Sequence, residues 1–140
     1  MKIRFCIAFL LPITAIAQTK SDYQRAMANF QRFYNAGQGD SICTLFHLDN
    51  PTMEKGIKSM WSNEGTADAL KQFGILKSFK YIGVDQTDAD TVRVFQTFFS
   101  NAGAKTTSMT LHQDNKLGTF RFTTTSDGID DLLKKRKTGR

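Results

Sequence analysis

The spacing of apolar residues changes at Gly74, and that change bounds what this chain can fold into. Upstream, Tyr23, Met27, Phe30 and Tyr34 recur with Ala26 and Phe33 at helical spacing. Ser21, with Gln24 at the capping-box position, is expected to start this helix, which ends near Gly37. Asp40 is expected to cap a short second helix through Leu45 and Phe46, and Asn50-Pro51 to break it. Met53, Ile57, Met60 and Trp61 keep a helical period between Thr52 and Ser62. Thr66 can cap a further stretch carrying Ala69, Leu70 and Phe73, stopped by Gly74. Downstream, strand-like runs cover Leu76 to Val84, Thr91 to Ser100, Lys105 to Gln113 and Lys116 to Thr125. Turn-forming segments separate them: Asp85 to Asp90, Asn101-Ala102-Gly103 and Asp114-Asn115. Helices followed by strands predict an α+β domain, its N-terminal helices packed on a four-stranded antiparallel meander. Ile129, Leu132 and Leu133 allow a short C-terminal helix.

The first residues belong to neither half. Lys2 and Arg4 form a positive region, Phe5 through Ile13 a short apolar one, and Ala15-Ile16-Ala17 a small-residue cleavage site. This reads as a secretory signal peptide over residues 1–17, cut between Ala17 and Gln18, and predicts a periplasmic or secreted product. The apolar stretch is too short to cross a bilayer, which takes about 20 residues, so no transmembrane segment is expected after cleavage. Cys43 is then the single cysteine and has no intramolecular partner for a disulfide. Stability must come from packing, and ten of the twelve phenylalanines remain to supply it.

A formal charge of +6 suggests nucleic acid, but its distribution does not. From Gln18 to Leu133 there are twelve Lys and Arg against thirteen Asp and Glu, a net of −1. Lys134, Lys135, Arg136, Lys137 and Arg140 crowd the end. Phosphate-backbone binding needs a basic groove across the folded body, and a short terminal tail is a poor substitute, so no nucleic-acid partner is expected.

Phe30-Gln31-Arg32-Phe33-Tyr34-Asn35-Ala36-Gly37 leading into Gly39-Asp40, then Leu45-Phe46, Phe73-Gly74-Ile75-Leu76-Lys77-Ser78 and Asp114-Asn115-Lys116-Leu117-Gly118-Thr119-Phe120 resemble the nuclear transport factor 2-like superfamily. Ketosteroid isomerase shares that fold, a cone of helices on a curved antiparallel sheet. The resemblance implies such a domain over residues 18–126, followed by a short helix and basic tail over 127–140. Within the superfamily the chain is most similar to exported bacterial domains found upstream of β-lactamase-type or α/β-hydrolase domains. That similarity implies an exported hydrolase as a possible partner. The sequence itself has no Gly-x-Ser-x-Gly nucleophile elbow.

Enzymes of this fold, the resemblance implies, use a cavity-wall carboxylate as general base with Tyr or Asp donors stabilising an oxyanion. Here each acid has a scaffolding position. Asp40 is a cap, Asp22, Asp68, Asp130 and Asp131 fall in first helical turns, and Asp85, Asp88, Asp90, Asp114 and Asp127 fall in turns. Asp49, Glu54 and Glu64 sit among polar neighbours, so no catalytic residue is assigned. His47 and His112 show no metal-ligand spacing, and neither a metal nor another cofactor is expected. Cys43 lies at helical spacing from Phe46 and reads as a small buried hydrophobe. Tyr34, Trp61, Tyr81 and Phe98 are candidate walls of the cone's cavity, suited to a small apolar ligand. Val92, Val94 and Phe98 alternate with Phe95 and Phe99, so both faces of that strand are apolar. A closing helix or a second subunit packed sheet to sheet would cover the second face, with Phe95 and Phe99 the expected homodimer contacts. The expected function is thus an exported, non-catalytic domain binding a small apolar ligand or a partner protein. A lyase or isomerase acting on a hydrophobic substrate and a self-associating structural module are the alternatives.

Overall fold

The computed structural model describes residues 18–85 and 92–123. The expected signal peptide, the turn before β2 and the closing helix with its basic tail lie outside these residues. Among the described residues four helices precede four strands: α1 (Lys20–Asn35), α2 (Gly39–Cys43), α3 (Pro51–Met60), α4 (Asn63–Phe73), β1 (Leu76–Asp85), β2 (Val92–Phe99), β3 (Gly103–Leu111) and β4 (Leu117–Thr123). The strands form one antiparallel sheet in the order β1-β2-β3-β4, as the α+β reading requires. No helix among the described residues is long and apolar enough to cross a membrane.

Several caps differ from expectation. Thr19, not Ser21, starts α1: its hydroxyl accepts from Asp22 N at 3.3 Å, and the Asp22 carboxylate accepts from Thr19 N at 2.8 Å. A charged carboxylate at the third helical position makes a stronger reciprocal bond than Gln24 could offer Ser21. Asp40 lies inside α2, whose N-cap is Gln38, and instead accepts from Asn63 Nδ2 at 3.1 Å while its own N–H donates to Asn63 Oδ1. This clasp ties α2 to the start of α4. The Asn50-Pro51 breaker opens α3, with Asn50 Oδ1 accepting from Met53 N at 2.8 Å and Pro51 at N1, where its missing N–H costs nothing. Ser62, not Thr66, caps α4 through Gly65 N at 3.0 Å. Thr66 is fully buried within that helix, and Asp68 falls beyond its first turn.

One face of α1 carries Tyr23, Met27, Phe30 and Tyr34 into the core. Phe30 is its hub, with ring centroids 4.5 Å from Phe120, 5.2 Å from Trp61, 5.6 Å from Tyr34 and 5.8 Å from Phe122. The sheet meets the helices through Phe79 and Tyr81 on β1, Phe95, Thr97 and Phe99 on β2, Thr107 and Met109 on β3, and Phe120 and Phe122 on β4. Thr97 and Thr107, both fully buried, satisfy each other, Thr97 Oγ1 lying 3.0 Å from Thr107 Oγ1. At the bulge that opens β1, Asn35 and Gln31 of α1 both donate to the Leu76 carbonyl at 2.9 Å, and Asn35 accepts from Leu76 N at 2.8 Å. Helix and sheet edge are thereby locked in register.

Candidate functional site

A cavity of about 300 Å³ opens where α1, the α3–α4 junction and the sheet meet. Its walls are Tyr34, Trp61, Phe73, Phe99 and Phe122, with Ala69 of α4 along one side. Each arrives by a local rule. Tyr34 is the last buried position of the α1 stripe, and Trp61 is the C-cap that turns α3 into α4. Phe73 ends α4 one helical turn past Ala69. Phe99 and Phe122 occupy inward positions of β2 and β4 and touch at 5.7 Å, edge to face. Gly74, at φ +79°, turns the chain into the sheet beside them. Met60, Gly65, Asp68, Gln72 and Lys105 complete the lining, and Met60 is 60% exposed.

The interior is apolar and its one hydroxyl is engaged. Tyr34 donates to the Gly74 carbonyl at 3.0 Å, and burial pushes its pKa up to about 12. Asp68 stands in water 3.5 Å from Lys71. None of the carboxylates whose burial is described is buried. A carboxylate base must be desolvated, and Asp68 is exposed.

Of the residues singled out as cavity walls, the structure brings Tyr34 and Trp61 together and leaves Tyr81 and Phe98 elsewhere. Tyr81 packs at 5.4 Å on Phe95 and accepts from Arg93 Nη1 at 2.7 Å, outside the cavity lining. Phe98 alternates with Phe99 and lies on the face turned away from the helices. Phe95 and Phe99, the expected dimer contacts, point inward instead. Phe95 has no exposed surface between Phe79 and Tyr81, and Phe99 packs against Tyr34, Phe73 and Phe122. Neither offers area to a second subunit. Phe73 and Phe122 joined the site unforeseen, although the Ala69-to-Phe73 spacing and the Phe120/Phe122 alternation carried the signal.

Cys43 is buried, its Sγ 3.7 Å from the Trp61 carbonyl, and burial followed by the nearby Asp40 charge pushes its thiol pKa up. His47 and His112 stack at 4.1 Å, with His47 Nδ1 2.9 Å from Asp114 Oδ2. No three His, Cys, Asp or Glu side chains among the described residues group to hold a metal. No family model and no curated protein matches the sequence.

Proposed function

We propose that this domain is exported and binds a small apolar molecule in the cavity between α1, the α3–α4 junction and the sheet. The observation that carries the reading is that cavity: about 300 Å³, walled by five aromatic rings, with the Tyr34 hydroxyl already committed to Gly74. That size and lining suit a compact, largely hydrophobic ligand held by shape and area. The leader-like start and the resemblance to the nuclear transport factor 2-like superfamily support export and a cavity-bearing fold. An isomerase-type reaction finds less support, since it needs a desolvated acid near a free phenol donor.

The test uses 1-aminoanthracene, a neutral fluorescent probe, with energy transfer from Trp61, the chain's single tryptophan. Saturable transfer with a dissociation constant on the order of 10 µM is expected, about −7 kcal/mol. Ala69→Phe, which fills the cavity, should abolish it while the circular dichroism spectrum is kept. Equal binding by the filled variant, or no saturable transfer in the native protein, would refute the proposal.

A further inference from the structure

A second constellation, separate from the apolar cavity, lies where the start of α1 meets β1 and β2. Lys20 Nζ sits 4.9 Å above the Tyr81 ring, and Arg93 Cζ sits 5.1 Å from the centre of the Tyr23 ring. Arg93 Nη1 donates to Tyr81 Oη at 2.7 Å. The Leu111 N–H donates to Tyr23 Oη at 3.3 Å. Two cations and two phenols are thus linked through one another, and among the described residues no carboxylate pairs with either cation.

The hydrogen-bond inventory is lopsided. Both phenol oxygens act as acceptors, which leaves both phenol O–H groups free to donate. Arg93 Nε is buried with no acceptor at all. Since Nη1 is held by Tyr81, the remaining edge of the guanidinium is Nε with Nη2, the pair of donors that meets two oxygens of one planar anion side-on. A buried guanidinium donor left unmatched is costly, and the two phenol oxygens are already taken as acceptors, so Arg93 Nε calls for an acceptor from outside the cluster. Tyr23 and Arg93 line an open groove that continues over Leu111 and Met53. An apolar body extending from the anion would lie there.

We infer that Arg93, Tyr23 and Lys20 form a binding site for a small organic carboxylate, its oxygens on the Nε–Nη2 edge of Arg93 and its apolar body along Leu111 and Met53. The apolar floor is why an organic acid fits better than inorganic phosphate. Lys20 adds long-range attraction and Tyr81 holds the guanidinium in place.

The experiment follows backbone amide resonances of the full chain during titration with phenylacetate, phenylacetamide and inorganic phosphate. Phenylacetate should shift the Leu111 amide saturably below about 10 mM, with the neutral amide and phosphate each about tenfold weaker or worse. Arg93→Gln should weaken phenylacetate about tenfold, and Lys20→Gln about threefold. Lys20 is exposed, so that second variant reports even if Arg93→Gln fails to fold. Ala69→Phe should bind phenylacetate unchanged, which separates this site from the apolar cavity. Equal binding of acid and amide, preference for phosphate, no response to Lys20→Gln, or loss in Ala69→Phe would each overturn the inference. So would a tenfold gain in Asp88→Asn or Asp90→Asn, because one of the chain's own carboxylates would then be the anion served.

Discussion

The hydroxyl of Tyr34, near the end of α1, donates to the carbonyl of Gly74, the C-cap of α4, across 3.0 Å. One bond therefore joins α1 and α4 at the point where the chain enters the sheet, and it commits the phenol proton, so Tyr34 offers no free donor to the cavity. The ring remains a wall, stacked on Phe30 at 5.6 Å and edge-on to Phe99 at 5.8 Å.

Tyr34→Phe should destabilise the protein by about 1–3 kcal/mol in chemical denaturation, because the buried Gly74 carbonyl loses its donor. Binding of 1-aminoanthracene should survive with little change, since the wall is intact. Native Tyr34 also sets an alkaline limit. Its pKa is raised by burial from 10.0 to about 12, so the folded state keeps a proton that the unfolded chain releases. That contribution is complete below pH 10 and is lost as pH rises toward 12. The native protein should therefore lose stability over that window, and Tyr34→Phe should flatten the loss in a pH series of denaturant midpoints.

Gly74→Ala should be among the costliest single changes. Gly74 sits at φ +79°, where a β-carbon is strained, and an added methyl would run into the Ser100 hydroxyl and the Asn101 backbone. Those neighbours cannot withdraw cheaply. Ser100 Oγ accepts from Ile75 N at 3.0 Å, and the Asn101 and Ala102 amides donate to Phe73 O at 3.0 and 3.1 Å. A loss of more than about 2 kcal/mol is expected in denaturant titration, with a cooperative transition retained.

Element types and strand order were legible because they depend on local signals. Gly74 stops a helix, and Asn101-Ala102-Gly103 and Asp114-Asn115 separate alternating runs whichever way the sheet faces. Caps were less legible. Thr19 and Ser21, or Ser62 and Thr66, are equally competent in composition, and tertiary packing chooses: Thr66 lies on the buried side of α4, so its hydroxyl cannot mark an exposed helix start. The cavity was half legible for the same reason. Tyr34 and Trp61 lie far apart in sequence and meet only because α1 and the α3–α4 junction share one patch of sheet. Whether Phe98 or Phe99 points inward is a matter of strand parity. The bulge between Leu76 and Ser78 shifts that parity on β1 without changing the residue pattern. Arg93 and Tyr81 meet diagonally across β1 and β2, where Tyr81 pairs with Phe95 and Arg93 with Val84, a register that no spacing rule in a single strand conveys.

Phe30→Ala should cost about 3–5 kcal/mol, since one truncation removes a fully buried ring that touches Tyr34, Trp61, Phe120 and Phe122. Because the change opens space beneath Trp61, the tryptophan emission of the folded variant should also move to longer wavelength. A cost below about 1 kcal/mol would mean that the helix layer does not depend on this ring.

The acid limb of stability should trace to two carboxylates that tether chain segments, half-buried Asp22 and exposed Asp114. The Thr19 backbone amide and then its hydroxyl, bonded to Asp22, hold that carboxyl below its ordinary value of 3.8. For Asp114 the His47 side chain acts first, followed by the Lys116 amide. In both cases the folded state favours the charged form more than the unfolded chain does. The stabilisation is therefore fully present above pH 3.8 and is lost as pH falls through the lowered folded values. Asp22→Asn should weaken the α1 capping box at neutral pH and make the remaining acid denaturation less steep. Asp114→Asn should do the same for the link between His47 and the β3–β4 turn. The two effects should add, because the carboxylates cap different elements and share no partner. Denaturant midpoints measured from pH 6 down to pH 2 for the native protein, both single variants and the double variant would decide it. A double variant as acid-sensitive as the native chain would remove both tethers from the account.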